Sequence, residues 1–191
     1  MIVNAVEFDA SSQVSFSKPK LNKSGGKSVT VLGPSGSALH LSTPLMLTWG
    51  VNEFTDEVTG RRTYDLSLQF PKEEYQTPES KEFLANMIKF QEHFKNEAIK
   101  QAKPWFGKSK MSAEVVDALA HPMLRYPKDP NTQEFDYDRP PCLRVKLDYW
   151  ENAFNCEIYD IEQTPAGDHK RLFPAPADSQ SVAGPMELIP K

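Results

Sequence analysis

The chain has 191 residues, a net charge of −4, a hydrophobic share of 39% and 16 prolines. This length is enough for one domain with a sizeable core, or at most two small ones, and the acidic balance excludes a nucleic-acid packer of the histone type. It has no apolar run of the length that crosses a membrane, no recognisable signal peptide, and too few cysteines for a disulfide framework. We therefore expect a soluble intracellular protein with no membrane contact.

The first 28 residues predict a short strand followed by a basic arm. Residues 10–28 are rich in Ser, Lys and Gly, which is typical of a mobile arm or a long loop. The arm has no acidic residue, and it holds four lysines: Lys18, Lys20, Lys23 and Lys27. A local excess of positive charge matters more for binding a polyanion than the net charge of the whole chain.

Alternating apolar residues predict a pair of strands after the arm. The apolar residues of the first strand share one face: Leu45, Leu47, Trp49 and Val51. Those of the second strand do the same: Tyr64, Leu66, Leu68 and Phe70. Because side chains on one face of a strand share their environment, Trp49 is predicted to belong to the core.

Two helices are predicted in the central part of the chain. The first begins after Thr77-Pro78, which combines an N-cap residue with proline at the first helical position. It is predicted to end near Lys103, because Pro104 disfavours helical geometry in the residue before it. Ser112 is expected to cap a shorter helix that runs through Ala120.

Two late strands and a tail complete the chain. Alternating apolar residues predict the strands: Leu143, Val145, Leu147, Tyr149, Phe154, Cys156 and Ile158. Residues 163–191 are rich in Pro, Ala and Ser and predict a disordered tail. Because strands precede and follow a helical insert, the order predicts a mainly antiparallel α+β domain, an OB-like barrel over residues 29–162. A sandwich with a helical insert fits this order almost as well.

The sequence contains no convincing catalytic or metal-binding motif. Gly26-Lys27-Ser28 lacks the first glycine of a phosphate-binding loop, because Leu21 occupies that position. The histidines occur singly and the cysteines have no paired spacing, so no metal site and no cofactor are predicted. Glu134, Asp136 and Asp138 would share a face on a strand and could hold Mg²⁺ for a nuclease, but their surroundings favour a solvated acidic loop. We expect no enzymatic activity.

A basic stretch with two aromatic residues is the strongest functional signal. Trp105 and Phe106 follow Pro104 directly, and lysines flank them on both sides: Lys100, Lys103, Lys108 and Lys110. Single-stranded nucleic acid is bound by cationic grooves that follow its phosphates and by aromatic rings on which its bases stack. The alternative is that both rings fill the end of the barrel as core residues. Arg144 and Lys146, on the polar side of a late strand, would extend a track of phosphate contacts.

Four segments resemble proteins of nucleocytoplasmic large DNA viruses: Leu41–Gly50 (LSTPLMLTWG), Tyr64–Phe70 (YDLSLQF), Lys103–Lys108 (KPWFGK) and Pro122–Pro127 (PMLRYP). The resemblance leaves out the arm and the tail. These viral proteins include a single-stranded DNA-binding protein of the OB-fold type, so the resemblance implies that fold and that activity. It implies no individual ligand residue.

These observations lead to one hypothesis with two alternatives. The protein is expected to bind single-stranded DNA without base specificity and to protect it during viral DNA replication or repair, at the host-cell site of replication or in the virion. Four lysines are predicted to contact phosphates: Lys100, Lys103, Lys108 and Lys110. The rings of Trp105 and Phe106 are predicted to stack on bases, and Arg144 and Lys146 are predicted to extend the track of phosphate contacts. RNA, replication proteins and a second copy of the chain are further expected partners. The alternatives are a virion structural or scaffold protein and, less favoured, the Mg²⁺-dependent nuclease.

Overall fold

The computed structural model describes residues 1–23, 25–163, 169–176 and 183–190. It contains two compact units, each formed by two separate stretches of the chain. Unit 1 comprises Met1–Met46 and Phe70–Pro141, and unit 2 comprises Leu47–Gln69 and Cys142–Lys191. The boundaries of both units therefore cut across the predicted domain 29–162. Helices and small, mainly antiparallel sheets make up both units, which confirms the mixed α/β class. Within the described ranges no sheet closes into a barrel.

The secondary-structure elements are short apart from one long helix. Along the chain the helices are α1 (Ala10–Gln13), α2 (Pro78–Lys100), α3 (Ala102–Phe106), α4 (Ala113–Leu119) and α5 (Pro185–Leu188). The strands are β1 (Ile2–Asn4), β2 (Ser15–Phe16), β3 (Lys20–Leu21), β4 (Lys27–Ser28), β5 (Val31–Leu32), β6 (His40–Ser42), β7 (Leu47–Thr55), β8 (Arg62–Gln69), β9 (Leu124–Arg125), β10 (Cys142–Leu147), β11 (Tyr149–Trp150), β12 (Ala153–Phe154), β13 (Ile158–Gln163) and β14 (His169–Phe173). None of the helices in the described part of the chain has the length and apolar character needed to span a membrane.

The long helix α2 organises the core of unit 1. Its predicted start is confirmed: the Thr77 hydroxyl accepts a hydrogen bond from the Ser80 N–H at 3.1 Å, and the Ser80 hydroxyl accepts one from the Thr77 N–H at 3.0 Å. The apolar side chains that α2 buries form the core of this unit: Phe83, Met87, Phe90 and Ala98. The ring of Phe8 packs edge-on against Phe90, with centroids 5.3 Å apart. Burial of this face, more than helix propensity, stabilises α2.

A buried amide fixes the N-terminal segment on α2. Asn86 is 4% exposed, and its Nδ2 donates to the carbonyls of Ala5 at 3.2 Å and Val6 at 2.9 Å. Asn86→Ala leaves both carbonyls without this donor, so we expect the free energy of unfolding to fall by about 1–3 kcal/mol. Urea denaturation measures this loss. Asn96→Ala, at an exposed position of the same helix, is the control and should change stability by less than about 0.5 kcal/mol. Equal losses in the two variants would contradict the anchoring role.

The N-terminal arm is an ordered β-hairpin, which corrects the prediction of a mobile arm or long loop. β2 pairs with β5 and β3 pairs with β4, both antiparallel, so residues 15–23 and 25–32 form what we call the lysine hairpin. At its tip the N–H of Gly26 donates to Asn22 Oδ1 at 2.7 Å, and the N–H of Asn22 donates to the Gly26 carbonyl at 2.8 Å. Asparagine is favoured in turns because its side chain can hydrogen-bond nearby backbone groups in this way.

Unit 2 is built on an antiparallel sheet in the order β7-β8-β10. Thr48 pairs with Leu68 and Val51 pairs with Leu66, so two residues of β7, Trp49 and Gly50, lie opposite a single residue of β8. Gly50 adopts φ 89°, a conformation that favours glycine, and the pair forms a β-bulge. The extra residue reverses the alternation of the strand. Val51 is 1% exposed, whereas Trp49 is 66% exposed, so the prediction that Trp49 is a core residue was wrong.

The C-terminal region differs from the predicted disordered tail in two places. β14 pairs antiparallel with β13, and α5 packs against β7. The N–H of Val51 donates to the Ile189 carbonyl at 3.2 Å, and Pro185 is fully buried. The apolar residues of segment 185–189 therefore bury enough surface on the sheet to order this part of the chain, which composition alone did not indicate. Residues 164–168, 177–182 and 191, on which the rest of that prediction falls, lie outside the described residues.

Candidate nucleic-acid interface

The lysine hairpin packs against the C-terminal end of α2 and against α3. The ring of Phe16 lies edge-on to Trp105, with centroids 5.1 Å apart, and stacks on His93 at 6.0 Å. Further along the hairpin, Lys27 Nζ donates to the Pro104 carbonyl at 2.9 Å. These contacts bring the two basic stretches of the sequence together within unit 1.

Trp105 is a core residue in the structure. Pro104 occupies the first turn of α3, where its missing N–H removes no helical hydrogen bond, and the Trp105 N–H donates to the Gln101 carbonyl at 2.9 Å. The indole is 8% exposed and packs with Ala98 and Val116. Its faces are therefore not free for a base, which corrects the prediction that the ring leaves the helix path after Pro104 and stacks on nucleic acid.

Phe106 is the accessible ring of the predicted pair. It is 45% exposed at the end of α3, with its centroid 6.3 Å from that of Trp105. Gly107 ends the helix in the left-handed conformation at φ 71°, and its N–H donates to the Lys103 carbonyl at 2.9 Å. The ring that can stack on a base is therefore held by a capped helix end.

The lysines of both stretches are exposed on unit 1. The exposed lysines of unit 1 that belong to them are Lys18, Lys20, Lys23, Lys27, Lys100, Lys103, Lys108 and Lys110. Lys100 Nζ pairs with Glu97 Oε1 at 2.6 Å. Within the described ranges the lysines of 103–110 form no ion pair, so their ammonium groups are available to an anion. A groove of about 520 Å³ between hairpin and helix is lined by Phe16, Lys18, His93 and Lys100 among others.

Lys95 marks the boundary of this basic surface. Its Nζ lies 2.7 Å from Asp117 Oδ1 and 3.4 Å from Glu92 Oε1, and it links α2 to α4. The hydrogen bond to the Asp117 carboxylate raises the pKa of the Lys95 ammonium, while partial burial acts in the opposite direction. A lysine that is held this way stabilises the helix pair and contributes little to an approaching polyanion.

Arg144 and Lys146 belong to unit 2, whereas the other predicted contacts belong to unit 1. The Arg144 guanidinium forms an ion pair with the Asp65 carboxylate, which is 6% exposed. Its charge is thus neutralised within the sheet, so it is not the free phosphate ligand that the sequence predicted. Lys146 is exposed and lines a small cavity with Arg61 and Arg62.

The acidic loop provides no support for a metal-dependent nuclease. Residues 128–141 form a loop with a single bridge between Lys128 and Phe135, and the N–H groups of Asn131 and Thr132 donate to Asp129 Oδ1. These backbone hydrogen bonds lower the pKa of the Asp129 carboxyl. In the part of the chain that the structure describes, no three His, Cys, Asp or Glu side chains, those of Glu134, Asp136 and Asp138 included, are arranged to hold a metal ion.

Comparisons with known proteins identify no family for this chain. No protein-family model, curated protein or solved structure matches it significantly. The resemblance to viral single-stranded DNA-binding proteins therefore remains a hypothesis that rests on the four sequence segments.

No predicted site residue lies in the lysine hairpin, although the hairpin completes the basic surface. Asn22 followed by Gly25-Gly26 is the sequence signal that could have located its turn, because such residues favour hairpin connections. Nothing in the hydropathy pattern marks Phe16 as the anchor of the hairpin on Trp105.

Proposed function

We propose that the protein binds single-stranded nucleic acid, with DNA as its main ligand, without base specificity. The observation that carries the proposal is the contact of Lys27 Nζ with the Pro104 carbonyl, which joins the two basic stretches on unit 1. The resemblance to the viral family points further to an OB-like architecture and to protection of exposed strands during viral DNA replication or repair.

The chemistry of this surface favours the sugar-phosphate backbone over base edges as the main contact. Lysine ammonium groups act as mobile point charges, whereas reading a base edge usually needs the planar fork of arginine or an amide. Within the two basic sequence stretches, residues 15–32 and 95–110, eight exposed lysines accompany one acidic residue, Glu97, which pairs with Lys100. Phe106 adds a face on which any base can stack, and an unpaired strand offers such bases more readily than a duplex.

Charge reversal at the α3 end tests the proposal. Lys103→Glu combined with Lys108→Glu should weaken binding of a fluorescent oligothymidylate and reduce the slope of log affinity against log salt by about 1–1.5, because each phosphate contact to a single strand contributes about 0.7. Fluorescence anisotropy at several salt concentrations measures both quantities. Lys72→Glu combined with Lys81→Glu, at exposed positions of unit 1 outside the basic stretches, is the matched control and should leave affinity almost unchanged.

The same titration with a duplex of matched length separates strand binding from general attraction to anions. We expect the single strand to bind more tightly at every salt concentration, because stacking on Phe106 is available only to unpaired bases. Equal affinity for the duplex, or equal losses in the two double variants, would contradict the proposal.

A virion structural or scaffold role is the second candidate, and one observation favours it. Leu47 and Trp49 share a face of β7 and are 58% and 66% exposed, which is unusual for large apolar side chains that alternate on one strand. Light scattering would detect self-association. A stable oligomer that Trp49→Ser dissociates, together with absent oligonucleotide binding, would favour this candidate.

A further inference from the structure

A short hairpin in unit 2 presents a tryptophan to solvent. β11 and β12 pair through Tyr149 with Phe154 and Trp150 with Ala153. The turn residues Glu151 and Asn152 have φ 50° and 63°, the backbone of a tight two-residue hairpin turn. Because Ala153 is small, Trp150 has no large neighbour across the hairpin, and it is 70% exposed.

The opposite face of this hairpin is anchored by aromatic packing. The ring of Tyr149 lies 4.6 Å from that of Tyr64 and 4.9 Å from that of Phe154, and Tyr64 and Phe154 are 4.7 Å apart. Tyr64, on β8, is 5% exposed, so the hairpin rests on the buried part of the sheet. A rigid support reduces the entropy that an aromatic ring loses when it engages a ligand.

Two arginines lie beside the exposed indole. Trp150, Arg61 and Arg62 line one open cavity of about 600 Å³, and both arginines line a second one with Lys146. The Nε of Arg62 is 3.8 Å from Glu53 Oε1, at the limit of an ion pair, and its side chain is 58% exposed. Arg61 forms no ion pair with any residue in the described ranges.

The acidic groups at these cavities leave the arginines accessible. Asp148 lines the second cavity, where its carboxylate accepts a hydrogen bond from Asn155 Nδ2 at 3.0 Å. Glu151 is exposed at the hairpin turn. The positive charges of the two arginines and Lys146 are thus largely offset by the carboxylates of Asp148 and Glu151, and attraction to an anion by charge alone is weak. Selectivity for one kind of anion must come from the combination of a ring and two planar guanidinium groups.

We infer that this site binds one nucleotide of a single strand, with its base stacked on Trp150 and its phosphate held by Arg61 and Arg62. The inference deepens the proposed function and rests on it, because it adds to the lysine surface of unit 1 a separate contact for the same class of ligand. Guanidinium groups bind phosphate oxygens through paired hydrogen bonds, and indole is the largest ring on which a base can stack. A flat peptide surface would use the ring but has no general need for two exposed guanidinium groups.

A pair of tryptophan variants of the full-length chain tests the inference. Trp150→Ala should lower the affinity for oligothymidylate about tenfold without changing the salt dependence, because stacking releases no counterions. Trp49→Ala is the matched control, since this tryptophan is equally exposed in the same unit, and it should bind like the wild type. Arg61→Gln should weaken binding and also reduce the salt dependence, because it removes a phosphate contact.

Photo-crosslinking with an oligonucleotide that carries 5-iodouracil provides a readout that does not depend on affinity. The crosslink is expected on the peptide that contains Trp150 and not on the one that contains Trp49. Suppose that the wild type binds and that Lys103→Glu combined with Lys108→Glu lowers affinity. If Trp150→Ala then binds and crosslinks like Trp49→Ala, the inference fails while the proposed function stands. If charge reversal on unit 1 has no effect but Trp150→Ala does, the site in unit 2 stands and the lysine surface is not the contact. A wild type that binds no oligonucleotide overturns both.

Discussion

The Trp105→Ala variant is expected to lose about 3–5 kcal/mol of the free energy of unfolding, the range found for large-to-small substitutions of buried aromatic residues. The indole is 8% exposed and contacts Phe16, Phe94 and Phe106, so its removal opens a cavity at the point where the lysine hairpin joins α3. Denaturant unfolding that is followed by circular dichroism measures the loss.

Phe106→Ala is the matched control for this prediction, because the two rings are adjacent in sequence and differ in burial. It should leave stability within about 1 kcal/mol of the wild type and should lower oligonucleotide affinity by the effect of one stacked base, about 1–3 kcal/mol. A Trp105→Ala protein that keeps its full stability and loses only oligonucleotide binding would return the stacking role to Trp105.

The start of α2 could be predicted from sequence, whereas its end could not. Thr77-Pro78 is a local signal, and the capping hydrogen bonds form between residues three positions apart. Pro104 is ambiguous by comparison. It can end a helix at Lys103, or it can lie in the first turn of a new helix after a break at Gln101, and the second outcome occurs. Burial of Trp105, a tertiary effect, favours that outcome.

Strand patterning had a similar limit at β7. Alternation predicts that Leu47, Trp49 and Val51 share one face, and a single extra residue at Gly50 places the first two on the opposite side from the third. A glycine inside an alternating strand is the sequence signal for a bulge, but it does not specify which part of the strand faces the core.

The candidate site was only partly accessible from sequence, because its decisive contacts are long-range. The contact of Lys27 with Pro104 joins residues that are 77 positions apart, and the pair of Asp65 with Arg144 spans 79 positions. Charge clustering along the sequence marks the two lysine-rich stretches, and their role as ligands stays a prediction. It could not show that one predicted ligand, Arg144, is already neutralised by a buried carboxylate on the neighbouring strand.

The Arg144→Met variant should be destabilised by about 3 kcal/mol, because it leaves the carboxylate of Asp65 buried without its cationic partner. Asp65 is 6% exposed at its side chain and Arg144 is 34% exposed, so the loss lies at the lower end of the range for broken buried pairs. The effect on oligonucleotide affinity, measured below the melting temperature, should be small. Urea unfolding and fluorescence anisotropy on the same preparation separate the two effects.

The double variant Asp65→Leu with Arg144→Met is the control that identifies the cause. Replacing a buried ion pair by apolar side chains of similar volume is often neutral or stabilising, so the double variant should regain most of the stability that Arg144→Met loses. Asn52 Nδ2, which lies 3.5 Å from Asp65 Oδ1, loses only a long contact in this change. If the double variant is as unstable as Arg144→Met, the loss comes from packing of the arginine stem and not from the unpaired charge. If Arg144→Met instead keeps its stability and weakens oligonucleotide binding with a smaller salt dependence, Arg144 is a phosphate ligand after all.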